Sequence, residues 1–158
     1  NVSMKTGELD SALRYFFRSL AMKKKILGCN HKSVLRTLHN IGIVYREMGD
    51  FGKAEDYFEE SVLMSNRVNC DPLEIARVMT DAGKVYLATN QFLQAKTTFD
   101  YIGSTLNALP FREDSDNLEH LKKTVIKLEK AASAGLQMLS SAKNSSSEHA
   151  SQVEAEEC

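Results

Sequence analysis

A chain of 158 residues with 42% hydrophobic and 26% charged positions has the composition of one ordinary globular domain. Its 20 basic and 21 acidic residues leave a formal net charge of -1, so no excess of either sign points to nucleic acid or to an anionic membrane as the main partner. No apolar run approaches the length of a membrane-spanning helix, no signal-type leader opens the chain, and Cys29, Cys70 and Cys158 form neither a CxxC pair nor a disulfide framework. A reducing compartment, cytosol or nucleus, fits them, and a cytoplasmic location is expected.

Only Pro72 and Pro110 interrupt the chain, and the long periodic stretches predict an all-α fold. The first predicted helix is 8–27. The next two, 33–48 and 52–68, are joined by a turn at Met48-Gly49-Asp50. Leu38, Ile41, Gly42 and Tyr45 fall on one face of the former, and Phe51, Ala54, Phe58 and Val62 make the facing stripe of the latter. A glycine inside a helix costs about 1 kcal/mol against alanine. Here Gly42 and Ala54 let two helices cross closely, with Tyr45 and Phe58 filling the space on either side.

Helices 73–89 and 92–107 repeat the pattern. Gly42, Tyr45, Ala54 and Phe58 recur as Gly83, Tyr86, Ala95 and Phe99, each 41 residues on, while Ala12 and Phe16 lie 42 residues before Ala54 and Phe58. Gly7, Gly49 and Asn90 are the matching turn positions. One helix pair cannot bury its apolar face alone, but stacked pairs can. The predicted architecture is therefore an antiparallel helix-pair solenoid over 1–110, with a half repeat at 7–32 and full repeats at 33–70 and 72–107. The first unit lacks its first helix and the chain opens at Asn1, so a piece of a longer protein is expected.

Leu38-x2-Ile41-Gly42-x2-Tyr45, followed by Ala54-x3-Phe58, resembles the tetratricopeptide repeat (TPR), and Met79-x2-Ala82-Gly83-x2-Tyr86 with Ala95-x3-Phe99 follows it. The period of 41–42 exceeds the usual 34, while the Tyr-to-Ala spacing stays at the standard 9, which places the extra residues between units. The longer period and the stretch Lys25–Tyr45, with Leu27, Gly28, His31, Val34, Leu38, Asn40 and Tyr45, resemble the kinesin light chain type of repeat. Cys29 and Lys32 stand where that type carries prolines.

After Pro110 the pattern changes. Asp116 and Glu119 have the spacing of a capping box, and a helix is predicted from there to about Ser140. Leu118, Leu121, Val125, Leu128, Ala132 and Leu139 share one face of it. Residues 111–142 read as a helix that covers the end of the solenoid, which repeat arrays require, or as a coiled-coil segment through which a larger complex forms. Gly135 on the seam speaks against the coiled coil. Residues 143–158, with one lysine, four glutamates and little to bury, read as a disordered tail.

No catalytic constellation emerges. His31, His39, His120 and His149 are scattered, Cys29-x-His31 supplies two candidate metal ligands rather than four, and no nucleophile elbow, phosphate loop or HExxH occurs. Lys23-Lys24-Lys25 lies at a helix C-terminus, where it complements the dipole. The expectation is a non-enzymatic protein-binding scaffold or adaptor with no cofactor and no metal. A regulatory domain of a larger enzyme or signalling ATPase is the alternative.

The resemblance implies that first helices of successive units line a concave groove holding peptides. The helical wheel then puts Arg36, Asn40, Ile43 and Glu47 on the groove in one unit, and Arg77, Asp81 and Lys84 in the next, with His39 and Thr80 at its border. Asn40 can both donate to and accept from a peptide backbone, and the cations can pair with acidic side chains or a terminal carboxylate, which Asp81 would repel. Expected partners are protein or peptide segments, with no nucleic acid and no membrane insertion.

Overall fold

The computed structural model describes the backbone of residues 2–109 and 115–156, with side chains for 7–109 and 116–142. Six helices fill these residues: α1 Val2–Leu27, α2 Lys32–Met48, α3 Phe51–Arg67, α4 Pro72–Ala88, α5 Phe92–Ala108 and α6 Ser115–Glu156. Each packs on its neighbour in sequence, and α2 also touches α4 as α4 touches α6. This is the predicted antiparallel helix-pair solenoid, with α2/α3 and α4/α5 as its complete units.

The turns follow from single residues. Gly49 ends α2 in the left-handed region at φ 81°, where its N–H donates to Arg46 O at 3.0 Å, and Asp50 then caps α3 by accepting from Lys53 N. Asn90, at φ 60°, does the work of Gly49 in the next unit, as asparagine tolerates that conformation. Asp71 caps α4 ahead of Pro72 at the first helical position. His31, half of the weak Cys29-x-His31 ligand pair, caps α2 instead: its Nδ1 accepts from Ser33 N at 3.1 Å.

The predicted helices pair, but the atoms nearest Gly42 belong to the Phe58 ring rather than to Ala54. A β-carbon on Gly42 would lie 2.8 Å from Phe58 Cε1, and one on Gly83 would lie 2.5 Å from Phe99 Cε1. Both rings are buried, each contributing roughly 1.5–3 kcal/mol. Tyr45 is half-buried and stacks on Tyr57 at 5.5 Å. The basic run near the end of α1 is tied down in part: Lys23 donates to Thr37 Oγ1 at 2.8 Å and Lys24 lies 3.8 Å from Glu60.

Several boundaries differ from expectation. Gly7 is not a turn: α1 runs through it and begins at Val2, giving 26 residues where α2 to α5 have 17 each. The long period does not lengthen the linkers. Only four residues, 28–31 and 68–71, separate the units, so the extra length extends the outer ends of the helices. Asp116 is inside the first turn of α6 rather than its cap, where it still complements the helix dipole.

The helix α6 packs on α5 through Leu121, Val125 and Leu128, which stand 43 residues after Val78, Ala82 and Val85 in α4. It thus occupies the place of a first helix in a third unit. Its outward face differs: Glu119, Lys122, Ile126, Glu129 and Lys130 replace Ala76, Met79, Gly83, Tyr86 and Leu87. That face is charged where the matching face of α4 is apolar and packs on α5. Gly135 sits on this packed seam, where any β-carbon would run into the Phe92 ring. The backbone of α6 continues to Glu156, well beyond the predicted end near Ser140 and across most of the predicted tail.

Candidate functional site: the shared face of α2 and α4

Adjacent first helices bring the two predicted stripes side by side. Between their N-terminal halves lies a cleft of about 540 Å³ lined by Leu35, Val78 and Leu73 at its floor, with Lys32, Arg36, His39, Glu74 and Arg77 around it. Arg36 Nε donates to Glu74 Oε1 at 2.6 Å across the cleft. Arg77 and Asn40 are exposed. Three of the predicted residues, Arg36, His39 and Arg77, therefore belong to one opening.

Further along, the same face closes. Asp81 Oδ2 lies 3.0 Å from His39 Nε2, and Asp81 Oδ1 accepts from both Arg46 Nη1 and Lys84 Nζ at 2.8 Å. Arg46 also reaches Glu47 at 3.2 Å. With 15% of its side chain exposed, the Asp81 carboxyl is penalised by burial, which pushes its pKa up. Hydrogen bonds from His39 and Lys84, and the charges of Lys84 and Arg46, outweigh that and hold it well below the usual carboxylate range. Asp81 is therefore a strut between two units rather than a free charge repelling a ligand.

Two predicted residues, Thr80 at the border and Ile43 on the groove, are placed differently. Thr80 is buried, and its hydroxyl donates to Ala76 O at 2.7 Å, the usual way a threonine satisfies itself inside a helix. Ile43 is half-buried against the Ala54–Phe58–Ala82–Val85 cluster. Both are packing residues. Glu74 and Arg46 were not among the predicted site residues. Arg46 sits three residues after Ile43 and Glu74 three before Arg77, so extending either wheel would have reached them; that they pair across two helices depends on the spacing between those helices.

Fold and face together define a tetratricopeptide-type solenoid of helix pairs. Residues 1–67 match the family described as tetratricopeptide repeat. Over 108 residues the chain is 32% identical to outer dynein arm-docking complex subunit 4 of Danio rerio, an alignment covering 68% of this chain and 20% of the relative. Over 96 residues it is 32% identical to the protein of the same name from Xenopus laevis, covering 61% and 17%. The chain spans about a fifth of the length of the curated relatives it matches. Among the described residues no helix is long and apolar enough to cross a membrane.

Proposed function

We propose that the chain is a non-catalytic scaffold that holds an extended, partly acidic segment of a partner protein along the shared face of α2 and α4. The cleft carries this reading. It pairs an apolar floor with Lys32, Arg36 and Arg77, whose charges exceed those of Asp71 and Glu74. Exposed Asn40 continues the same face and can bond to a peptide backbone in both directions. The Asp81 strut fixes the spacing of the two helices beside the cleft, so a ligand meets a preformed surface.

The relatives carry a docking complex in their names, and a docking or adaptor role in such an assembly is the setting this reading favours for the chain. The finer likeness to kinesin light chain repeats rests on the Lys25–Tyr45 stretch and on the long period. It supports the same mode of binding without naming a cargo.

Arg77→Glu is the direct test, since the side chain is exposed and its loss leaves the fold alone. An array of short acidic and neutral peptides probed with the parent chain should yield acidic binders that Arg77→Glu weakens about tenfold or more. Equal capture by both chains would move binding away from this face.

A further inference from the structure

The repeat allows one inter-helix gap to be compared with the next. The helix α2 packs between α1 and α3, and α4 packs between α3 and α5. The first gap is filled. Tyr45 of α2 stacks on Tyr57 of α3 at 5.5 Å, and Phe17 of α1 meets Tyr57 edge-on at 6.1 Å. Leu13 is buried in the same core, and Lys53 sets its ammonium 5.1 Å from the centre of the Tyr45 ring.

The second gap keeps only part of this set. Tyr86 matches Tyr45, but Thr98 and Gln94 stand at the places of Tyr57 and Lys53, and Glu55 and Glu59 stand at those of Leu13 and Phe17. Burial pushes the pKa of the Tyr86 hydroxyl up, and the charges of Glu55 and Glu59 add to the rise. Neither carboxylate has a hydrogen bond or ion pair among the described residues. On the same face of α4, a cavity of about 180 Å³ opens over Ile75 and Met79, walled by Asn66 of α3 and Tyr101 of α5. Met79 precedes Tyr86 by seven residues, about 10 Å along the helix. This face lies on the side of α4 opposite Glu74 and Arg77.

The geometry points to a second binding surface in the α3–α5 gap, fitted to a basic segment of a partner protein. A lysine or arginine would sit between Glu55, Glu59 and the Tyr86 ring, and an apolar side chain would enter the cavity over Ile75 and Met79. Charge selects this occupant. In the first gap the chain itself supplies the cation over the tyrosine, as Lys53, whereas the second gap has two unpaired carboxylates and no cation. The gap lies inside the stack, so units added at either end would lengthen the row without filling it. Residues 143–158, with four glutamates and one lysine, carry the wrong charge to occupy it. The surface shares no lining residue with the α2–α4 cleft and does not rest on it.

The probes are short alanine–serine peptides carrying one lysine and one leucine at varied spacings, with controls that lack the leucine. Each is bound to the full chain and coupled by a carbodiimide, which joins a lysine amine to a carboxylate it touches. Mass spectrometry should find coupling at Glu55 or Glu59 about fivefold or more above that at exposed Asp56, and the controls should lose that excess. The double variant Glu55→Gln, Glu59→Gln should keep the parent's helicity and bind the peptides about tenfold more weakly, whereas Arg77→Glu should bind them as the parent does. Absence of binding by every peptide would overturn the proposal, as would unchanged affinity in the double variant. Coupling spread evenly over the carboxylates, or equal in the controls, would show that charge alone is read and would overturn it too.

Discussion

Asp81 carries the most concentrated chemistry in the molecule. Read from the helical wheel, it was an acidic residue facing the ligand. In the fold it is the common acceptor for His39, Arg46 and Lys84, two of them from α2 and one from its own helix. A carboxyl held below its unfolded value of about 3.9 stabilises the fold at pH above that value, and the contribution is lost as pH falls through the folded value. Asp81→Asn should therefore lower stability by about 1–3 kcal/mol at pH 7. In urea unfolding the gap to the parent should stay constant down to about pH 4 and shrink below it. A gap that persists undiminished to about pH 2 would mean that the charge is not what holds the two helices. The strut was illegible in sequence because its partners lie 35 and 42 residues away and the repeat does not reproduce it: Arg46 matches Leu87, and His39 matches Thr80.

At the level of helices, the glycine–phenylalanine crossings show what the sequence made plain. Two glycines 41 residues apart, each followed by an alanine and then a phenylalanine at equal spacing, already implied a close approach of the helices, although the side chain that fills it over the glycine is the ring, Gly42–Phe58 and Gly83–Phe99, rather than the alanine. Replacing a helical glycine with alanine ordinarily favours the helix by up to about 1 kcal/mol. At Gly83 the new methyl would press on a buried ring, so Gly83→Ala should destabilise by roughly 1–2 kcal/mol net. Gly103 in α5 has open space around it, and Gly103→Ala should stabilise by a few tenths to about 1 kcal/mol. Thermal melts of the two variants should move in opposite directions, and a rise for Gly83→Ala would deny the crossing its tightness. Helix ends were less legible. Gly7 looked like Gly49, yet a glycine permits a turn without enforcing one, and α1 continues through it. The span of α6 exceeded its apolar pattern for a related reason: the serine-rich stretch carries no apolar periodicity in its sequence to mark how far the helix continues.

Across the whole molecule, the stack of units behaves as a line of nearest-neighbour contacts, in which each helix is held by those on either side. The inner helices α2 to α5 have neighbours on both sides. The helix α6 leans on both α5 and α4, whereas α1 is held by α2 on one side and leaves Tyr15, Met22 and Ile26 uncovered. The two ends are thus unequal, and so are the ways of coming apart. Opening should begin at α1 and advance toward α4, with the packed part of α6 among the later segments to yield. Native-state hydrogen exchange should show this as a gradient, with the amides of α1 between residues 9 and 27 exchanging well before those of α4 and α5. A uniform rate across the helices would describe a single all-or-none unit instead. Under tension or near its melting temperature, such a molecule unzips in one direction, and the grip of α1 on α2 sets how firmly the rest is latched.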